Sequence, residues 1–397
     1  MALTDFKAVY DNAYEEVLNT VLVAKSIANM RFEPSLVSGG SVVRTVYDIS
    51  AARVRTVVRN APSTIDTITD STESLIINLE KEIVFPMSDG ELKQASNFSP
   101  METIGAQAAN KIATDLDARV FAEVLNAYQT FDNGDLTTTV SDGTPITLSA
   151  TTVPQMVSQM PAKLKSINNI LSNMAFVVDA YAISQIEQYL LGKQFDIVNS
   201  TFKNGYSGAI SMAEVYVSQN LTGSALFTDV GLADGETIVI NGITFTAKTT
   251  LGTDAGNFAL GSNNTEAIAN LVNLINNPSV TDATGVALST ANQALITDAY
   301  KITASVVTAA SSFKIVGTGS GRLAVSDTAA SGAWTLNTIH AYYGKKGAID
   351  LVVQDKSEVD IRECADRRGV NIFSSYLAGI KTFADGAKKF LNVKIAA

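Results

Sequence analysis

The sequence predicts an α+β fold in which a small, β-rich α+β domain is inserted into a larger host. Three stretches lead to that reading. Residues 99–129, SPMETIGAQAANKIATDLDARVFAEVLNAYQ, read as one long helix. Residues 42–59 and 74–85 read as two long strands joined by the polar stretch APSTIDTITDST. From about Phe227 to Asn337 charged residues thin out, Thr, Ser, Ala, Gly and Asn dominate, and hairpin turns appear.

The long helix carries its own start signal. Ser99 suits the cap, Pro100 suits the first helical position, where its missing N–H is not needed, and Glu102 closes a capping box. About 30 residues at roughly 1.5 Å each make a rod of about 45 Å. Its apolar residues recur every four, through Ile104, Ala108, Ile112, Leu116, Val120, Val124 and Tyr128. Four residues overshoot a 3.6-residue turn by about 40°, so the row winds around the rod and meets different neighbours at its two ends.

Ahead of it, residues 3–30 read as an amphipathic helix, with Phe6, Tyr10, Val17 and Val21 near one face and Asp11, Glu15 and Glu16 near another. Glu33-Pro34 ends that helix, and Ser38-Gly39-Gly40-Ser41 leads into the strands. In the second strand Leu75, Ile77, Leu79, Ile83 and Phe85 alternate with Asn78, Glu80 and Glu82; in the first, Arg53 and Arg55 flank Val54. Such a pair forms an extended ribbon, marginal alone in water and in need of something to lie on. Its opposite charges can pair across the ribbon or reach a neighbouring subunit, each pair contributing roughly 0.2–1 kcal/mol.

Behind the long helix, residues 131–149, rich in Asp, Gly and Thr, read as a turn-rich loop or a short hairpin. Residues 152–166 fit a helix that Pro161 should kink or end. AFVVD (175–179) is a short buried strand, 181–191 a helix stopped by Gly192, and 213–218 a strand. In the inserted stretch, ETIVINGITFTAK places Asn241-Gly242 between alternating runs, the strongest short-range hairpin signal. NTEAIANLVNLIN is a short amphipathic helix, and ALITDAYKITASVV and SSFKIVG read as strands. Trp334 is expected in the core of the insertion. The host resumes near His340 with strands around 348–354, YLAGIKTF and 390–395, separated by the charged segment KSEVDIRECADRRG.

Composition narrows the function. The chain has 397 residues, enough for two or three domains, and a net charge of −10, which argues against a surface that grips phosphate backbones. One cysteine, Cys364, excludes an internal disulfide and a cysteine metal cage. One histidine, His340, leaves no histidine cluster, and any catalytic triad would have to be built around it. The start is acidic, unlike a signal peptide, and no apolar run approaches the ~20 residues of a membrane span, so the chain is expected to be made in a cytoplasm. VGTGSG (316–321) lacks the helix that a dinucleotide loop needs behind its glycines and reads as a turn. Asp350, Asp355, Glu358 and Asp360 sit among Lys356, Arg362, Arg367 and Arg368 and read as a mixed-charge surface, not a cation site. No serine sits in a nucleophile elbow. The chain is read as a non-enzyme without cofactor or metal.

The order of elements, with AFVVDAYAISQIEQYL, GAISMAEVYVSQNL and YLAGIKTFADGAKKFLNVKI in place around the long helix, resembles the major capsid proteins of tailed phages, the Hong Kong 97 type of fold. The resemblance covers the chain except the insertion, which itself resembles small modules recurrent in phage structural proteins. It implies an N-terminal arm (1–35), an extended β-ribbon loop (36–98), a peripheral domain with the spine helix (99–149), an axial domain in two parts (150–226 and 339–386), the inserted domain (227–338), and a final strand returning to the peripheral domain (387–397). It implies a major capsid protein that self-assembles as hexamers and pentamers into an icosahedral shell around phage double-stranded DNA, held without sequence-specific binding, in a virion and away from membranes. Partners implied are a portal, a separate scaffolding protein, since no long helical leader precedes residue 1, and a decoration protein. The loop has lysines only at Lys81 and Lys93, so covalent crosslinking is not expected. Arg53, Arg55, Glu80 and Glu82 are the expected assembly contacts. The alternatives are an encapsulin-type nanocompartment shell, which holds cargo protein, and a phage tail or adhesin structural protein.

Overall fold

The computed structural model describes residues 22–31, 40–48, 56, 59, 62, 66, 69–88, 99–136, 143–167, 171–191, 209–210, 212–228, 231–307, 312–330, 332–356, 360–363 and 368–397. In chain order the elements are α1 (Ala24–Ile27), β1 (Ser41–Asp48), β2 (Thr69–Ile76), β3 (Leu79–Ser88), α2 (Ser99–Ala122), β4 (Gln129–Phe131), α3 (Asn133–Leu136), α4 (Thr152–Ser166), β5 (Met174–Val178) and α5 (Ala180–Leu191). Then come β6 (Ala209–Ile210), β7 (Ala213–Val217), β8 (Thr222–Thr228), β9 (Thr237–Ile240), β10 (Ile243–Lys248), β11 (Asn257–Ala259), α6 (Asn264–Asn276), α7 (Thr290–Ala294), β12 (Ile302–Val307), β13 (Ser312–Gly317) and β14 (Val325–Asp327). The last are β15 (Ala333–Lys345), β16 (Asp350–Lys356), β17 (Asp360–Glu363), β18 (Gly369–Lys381), α8 (Ala384–Ala387) and β19 (Phe390–Ala396). The fold is mixed α+β with several sheets.

The chain divides into two compact units, one holding Ala28–Ala109 and Gly347–Ala387, the other the described part of Thr20–Ile27 with Asn110–Lys346 and Lys388–Ala397. In the first, β18 is the central strand: β16 and β17 pair along one edge and β3 along the other, all antiparallel. β1 and β2 form a separate antiparallel ribbon, with Ser41 opposite Ile76 and Asp48 opposite Thr69. The stretch 74–85, expected as one strand, is therefore two. The chain kinks at Ile77-Asn78 because β2 is drawn to β1 and β3 to β18. Leu75, Ile77, Val352 and Phe383 make the small core beneath the ribbon.

In the second unit β15 organises a nine-stranded sheet. Along one edge β8 pairs with residues 333–340 and β5 with 342–345; along the other β19 pairs with 338–344. β19 is in turn flanked by β4 and by a bridge between Ile146 and Ile395, so this last strand is interior. One core lies where α4 and α5 cover β5, β7, β15 and β19, around Met156, Met160, Phe176, Ile186, Tyr343 and Val393. Helix α4 runs through Pro161 without ending, because Val153, Met156, Met160 and Leu164 form a buried stripe whose packing outweighs one lost hydrogen bond.

The second core belongs to the module between β8 and β15, around Phe227, Phe245, Phe258, Leu271, Phe313 and Ile315, with Trp334 packed against it. Asn241 and Gly242 have φ of 48° and 81°, the backbone of the expected two-residue turn, between Ile240 and Ile243. The stretch ALITDAYKITASVV is only half strand. Residues up to Ala299 are helical, launched by Ser289, whose Oγ accepts from Asn292 N–H at 3.3 Å, and β12 starts at Ile302.

Helix α2 is 24 residues long, about 36 Å, followed by a 3-10 turn at Glu123–Asn126. Ala108, Ile112, Leu116, Val120 and Val124 of the four-residue row are buried, but Tyr128 is 62% exposed. The rod ends short of 129 because Gln129–Phe131 leave it to pair in parallel with β19. Of the helix expected over 3–30, only α1 falls among the described residues, and the chain has left the helix by Asn29. There the backbone bonds on both sides of Asp350, Asn29 N–H to Ile349 O at 2.8 Å and Leu351 N–H to Asn29 O at 3.1 Å.

β12 is an edge strand of the large sheet. The Asn276 side chain closes part of that edge as a strand would, donating from Nδ2 to Ala304 O at 2.9 Å and accepting from Ala304 N–H at 2.9 Å. Asn276→Ala is expected to lower stability by about 1–2 kcal/mol and to promote association through the opened edge. Thermal melts and light scattering check this, and adding Val306→Lys on the same strand should suppress the association.

Candidate assembly surfaces

The two faces of the ribbon differ. On its inner face lie Val42, Arg44, Glu73 and Leu75; on its outer face Ser41, Val43, Thr45, Thr72, Ser74 and Ile76 are exposed. The inner face is firmly held. Arg44 pairs with Asp385 at 2.7 Å, lies 4.0 Å from the buried Asp350 and stands over the Phe383 ring at 5.3 Å. Glu73 accepts from Ala384 N–H at 3.2 Å, and Lys381 Nζ donates to Ser74 O at 2.8 Å. Gly379 of β18 lets the ribbon come this close: a Cβ there would stand 2.6 Å from Leu75 Cδ2 and 2.8 Å from Ile76 O. The outer face carries Val43 at 66% and Ile76 at 56% exposure, diagonal neighbours with no cover among the described residues.

Glu80 and Glu82 are on β3, not on the ribbon, and stand opposite Leu377 and Ser375 of β18. They are exposed and share their face with Val84, Pro86, Phe373 and Asn371. Arg362 covers the Phe373 ring at 5.3 Å. The face is a half-covered apolar patch with an acidic rim. Arg53 and Arg55 lie outside the described residues, and within the ribbon the opposed charges are Arg44 and Glu73. The adjacent apolar pairs Val42-Val43 and Leu75-Ile76, which in a strand must put one residue on each face, were the signal for the open face.

His340 sits in a buried chain of side chains. Its Nδ1 is 2.9 Å from Asn392 Oδ1 and its Nε2 2.9 Å from Ser224 Oγ, so Nδ1–H donates to the amide and Nε2 accepts the hydroxyl. Hydroxyl, imidazole and amide follow one another as in a nucleophile triad. All three are at most 4% exposed, on the adjacent strands β8, β15 and β19, so no substrate reaches the hydroxyl. Desolvation, aided by Lys314 and Lys394, holds the imidazole down at about 4, against the Asn392 hydrogen bond that favours protonation.

Asp117 of α2 is another buried ionisable group, 1% exposed. Its carboxylate accepts from Ala24 N–H at 2.8 Å and Val23 N–H at 3.2 Å and tethers the arm segment at α1. Desolvation raises it to about 6, against those hydrogen bonds and one from Asn220. Asp117 is next to Leu116 of the apolar row, and nothing in its spacing marks it as buried.

No protein-family model matches the sequence, and no curated protein matches it. Among solved structures the chain is similar to the capsid of an empty GTA particle, with a TM-score of 0.45 at 9% identity over 95% of this chain and 91% of that one. It is similar to the capsid of the cyanophage P-SCSP1u, with a TM-score of 0.44 at 9% identity over 90% and 84%. A virus-like particle from Pyrococcus furiosus gives 0.42 at 9% identity over 97% and 96%. Two are capsids and one is a virus-like particle. With TM-scores under 0.5 these are likenesses only, and the functional reading rests on the chain's own elements.

The two buried groups act in opposite directions on acidification. His340, low when folded, supports stability above its unfolded value near 6.5 and loses that support as pH falls towards about 4, on the order of 3 kcal/mol. Asp117, high when folded, supports stability below about 4 and loses it as pH rises through about 6. Asp117→Asn should therefore steepen the fall in melting temperature between pH 6 and 4, and His340→Gln should flatten it. Melts of the three chains across that window check both signs.

Proposed function

We propose that this chain is a shell subunit, the major capsid protein of a tailed-phage-type particle, assembling as hexamers and pentamers into an icosahedral shell around double-stranded DNA. The observation that carries the reading is the ribbon. A two-stranded sheet is marginal in water, and this one is anchored on one face and bare on the other, which suits a loop completed by a neighbouring copy. The long helix that follows β3 and the interior strand β19 support the same fold family, with residues 36–98 as the extended loop, 99–149 and 387–397 as the peripheral domain, 150–226 with 339–386 as the axial domain and 227–338 as an inserted domain.

Assembly then proceeds by burial of apolar surface at repeated interfaces, typically about 800 Å² per partner. A net charge of −10 suits a wall from which packaged DNA must stay free. The buried Ser224–His340–Asn392 chain supports a structural rather than a catalytic role for the histidine. Portal, separate scaffolding and decoration proteins complete the particle in this reading.

Electron microscopy of the purified chain, alone and with a candidate scaffold, tests it: closed polyhedral shells or ring-shaped capsomers are expected, and monodisperse small particles under both conditions would sink it. Alanine at Arg53, Arg55, Glu80 and Glu82 together is expected to lower assembly yield and shell heat-stability; unchanged values would remove these residues from the interfaces.

A further inference from the structure

The inserted module carries an open polar pocket of about 320 Å³ whose lining includes Asp234, Lys248, Thr249, Gly252, Asp254 and Asn257. That volume is at the lower end of the range of small-molecule sites. Asn257 is the floor. It is only 4% exposed, and its backbone is engaged, the N–H with Asp254 O at 3.3 Å and the carbonyl with Val286 N–H at 2.8 Å. Its side-chain amide has no partner among the described residues and lies beside Gly252, where the missing side chain leaves it open to the pocket. Held by a fixed backbone and facing the pocket, this amide offers one acceptor and two donor hydrogens to a ligand.

The walls are fixed and charged. Asp234 accepts from Thr249 N–H at 2.6 Å, and this bond, with a further one from the Thr249 side chain, holds its carboxylate below the usual range. Lys248 faces the same carboxylate, and Asp254 brings a second one from the exposed side of the pocket.

This chemistry excludes most small ligands. The two carboxylates repel a phosphate, and the Lys248 ammonium opposes a metal cation. No aromatic ring lines the pocket to stack a base. What remains is a neutral molecule dense in hydroxyls. Carboxylates accept from hydroxyls, the ammonium donates to them, and the Asn257 amide does both. We propose that this pocket binds a hexose-sized sugar ring, taken either as a free sugar or as the terminal unit of a surface glycan. The inference holds whether or not the chain builds a shell.

Saturation-transfer NMR on the full chain tests it, with methyl α-glucoside, methyl β-galactoside and methyl N-acetyl-β-glucosaminide as probes. Transfer to at least one is expected, with a dissociation constant on the order of millimolar. Asp254→Asn and Lys248→Met should each weaken it about 10-fold or more, and Asn257→Ala should abolish it. No transfer to any probe overturns the proposal, as does a signal unchanged in Asp254→Asn and Lys248→Met. These two variants decide the matter if Asn257→Ala, at a buried position, fails to fold. The same sugars on immobilised oligosaccharides separate the sources: binding retained or tightened there points to a glycan terminus, and binding only to the free glycosides points to free sugar.

Discussion

The second unit depends on the pairing of β15 along both of its edges. Thirteen residues of one strand hold the neck of the module between β8 and β15 through β8, the core under α4 and α5 through β5, and β19 along the other edge. Backbone groups in a buried strand must all find partners, so no one of these three can be withdrawn without leaving a row of donors and acceptors unmet. The consequence reaches the C-terminus. Phe390, Leu391, Val393 and Ile395 are fully buried, so the closing strand is a structural member and not a tail.

The module is also fixed at a second place. Its glycine turn, 317–321, rests on the long helix: Gly319, at φ 74°, has Ala118 so near that a Cβ there would stand 2.2 Å from the alanine Cβ. Lys301, itself at a positive φ of 46°, pairs with Asp115 one turn earlier. Arg322 follows the glycines, bonds Asp179 at 2.8 Å and covers the Tyr181 ring at 4.4 Å. Asp179 also caps α5 by accepting from Ala182 N–H at 3.2 Å. An insertion tied only at its neck would swing; one tied at neck, helix and cap is carried with the host. The glycines that resembled a phosphate loop are thus explained by close approach to a helix.

What was legible in the sequence was what local physics decides. The four-residue row announced α2, and Asn241-Gly242 announced its turn. What was not legible depended on partners distant in the chain. The split of 74–85 came from competition between β1 and β18, the early end of the long helix from β19, and the passage of α4 through Pro161 from a buried stripe. ALITDA, ambiguous between strand and helix, was decided by Ser289 and by packing. Of the four expected contact residues only Glu80 and Glu82 are described, and their alternation was read correctly while their partner strand was not. Alternation determines a face; it does not name a neighbour.

The ribbon shows how a fold can be stable and still incomplete. Its inner face has an arginine held by a carboxylate, a second carboxylate and a ring, over a core of four buried apolar side chains among the described residues. Its outer face offers two large aliphatic side chains to water, each worth on the order of 1.5–3 kcal/mol if fully buried. A monomer gains nothing from keeping Val43 and Ile76 there, since a polar residue at either position would pair as well with its cross-strand neighbour. Many identical copies in contact would gain that energy at every interface, and a contribution too small to fold one ribbon is large when repeated over a closed surface. Weak individual contacts also let wrongly placed subunits leave before closure, which favours a uniform particle over a kinetically trapped one. In the proposed shell the exposed valine and isoleucine would serve the contact between copies, and the charge-held root would aim them.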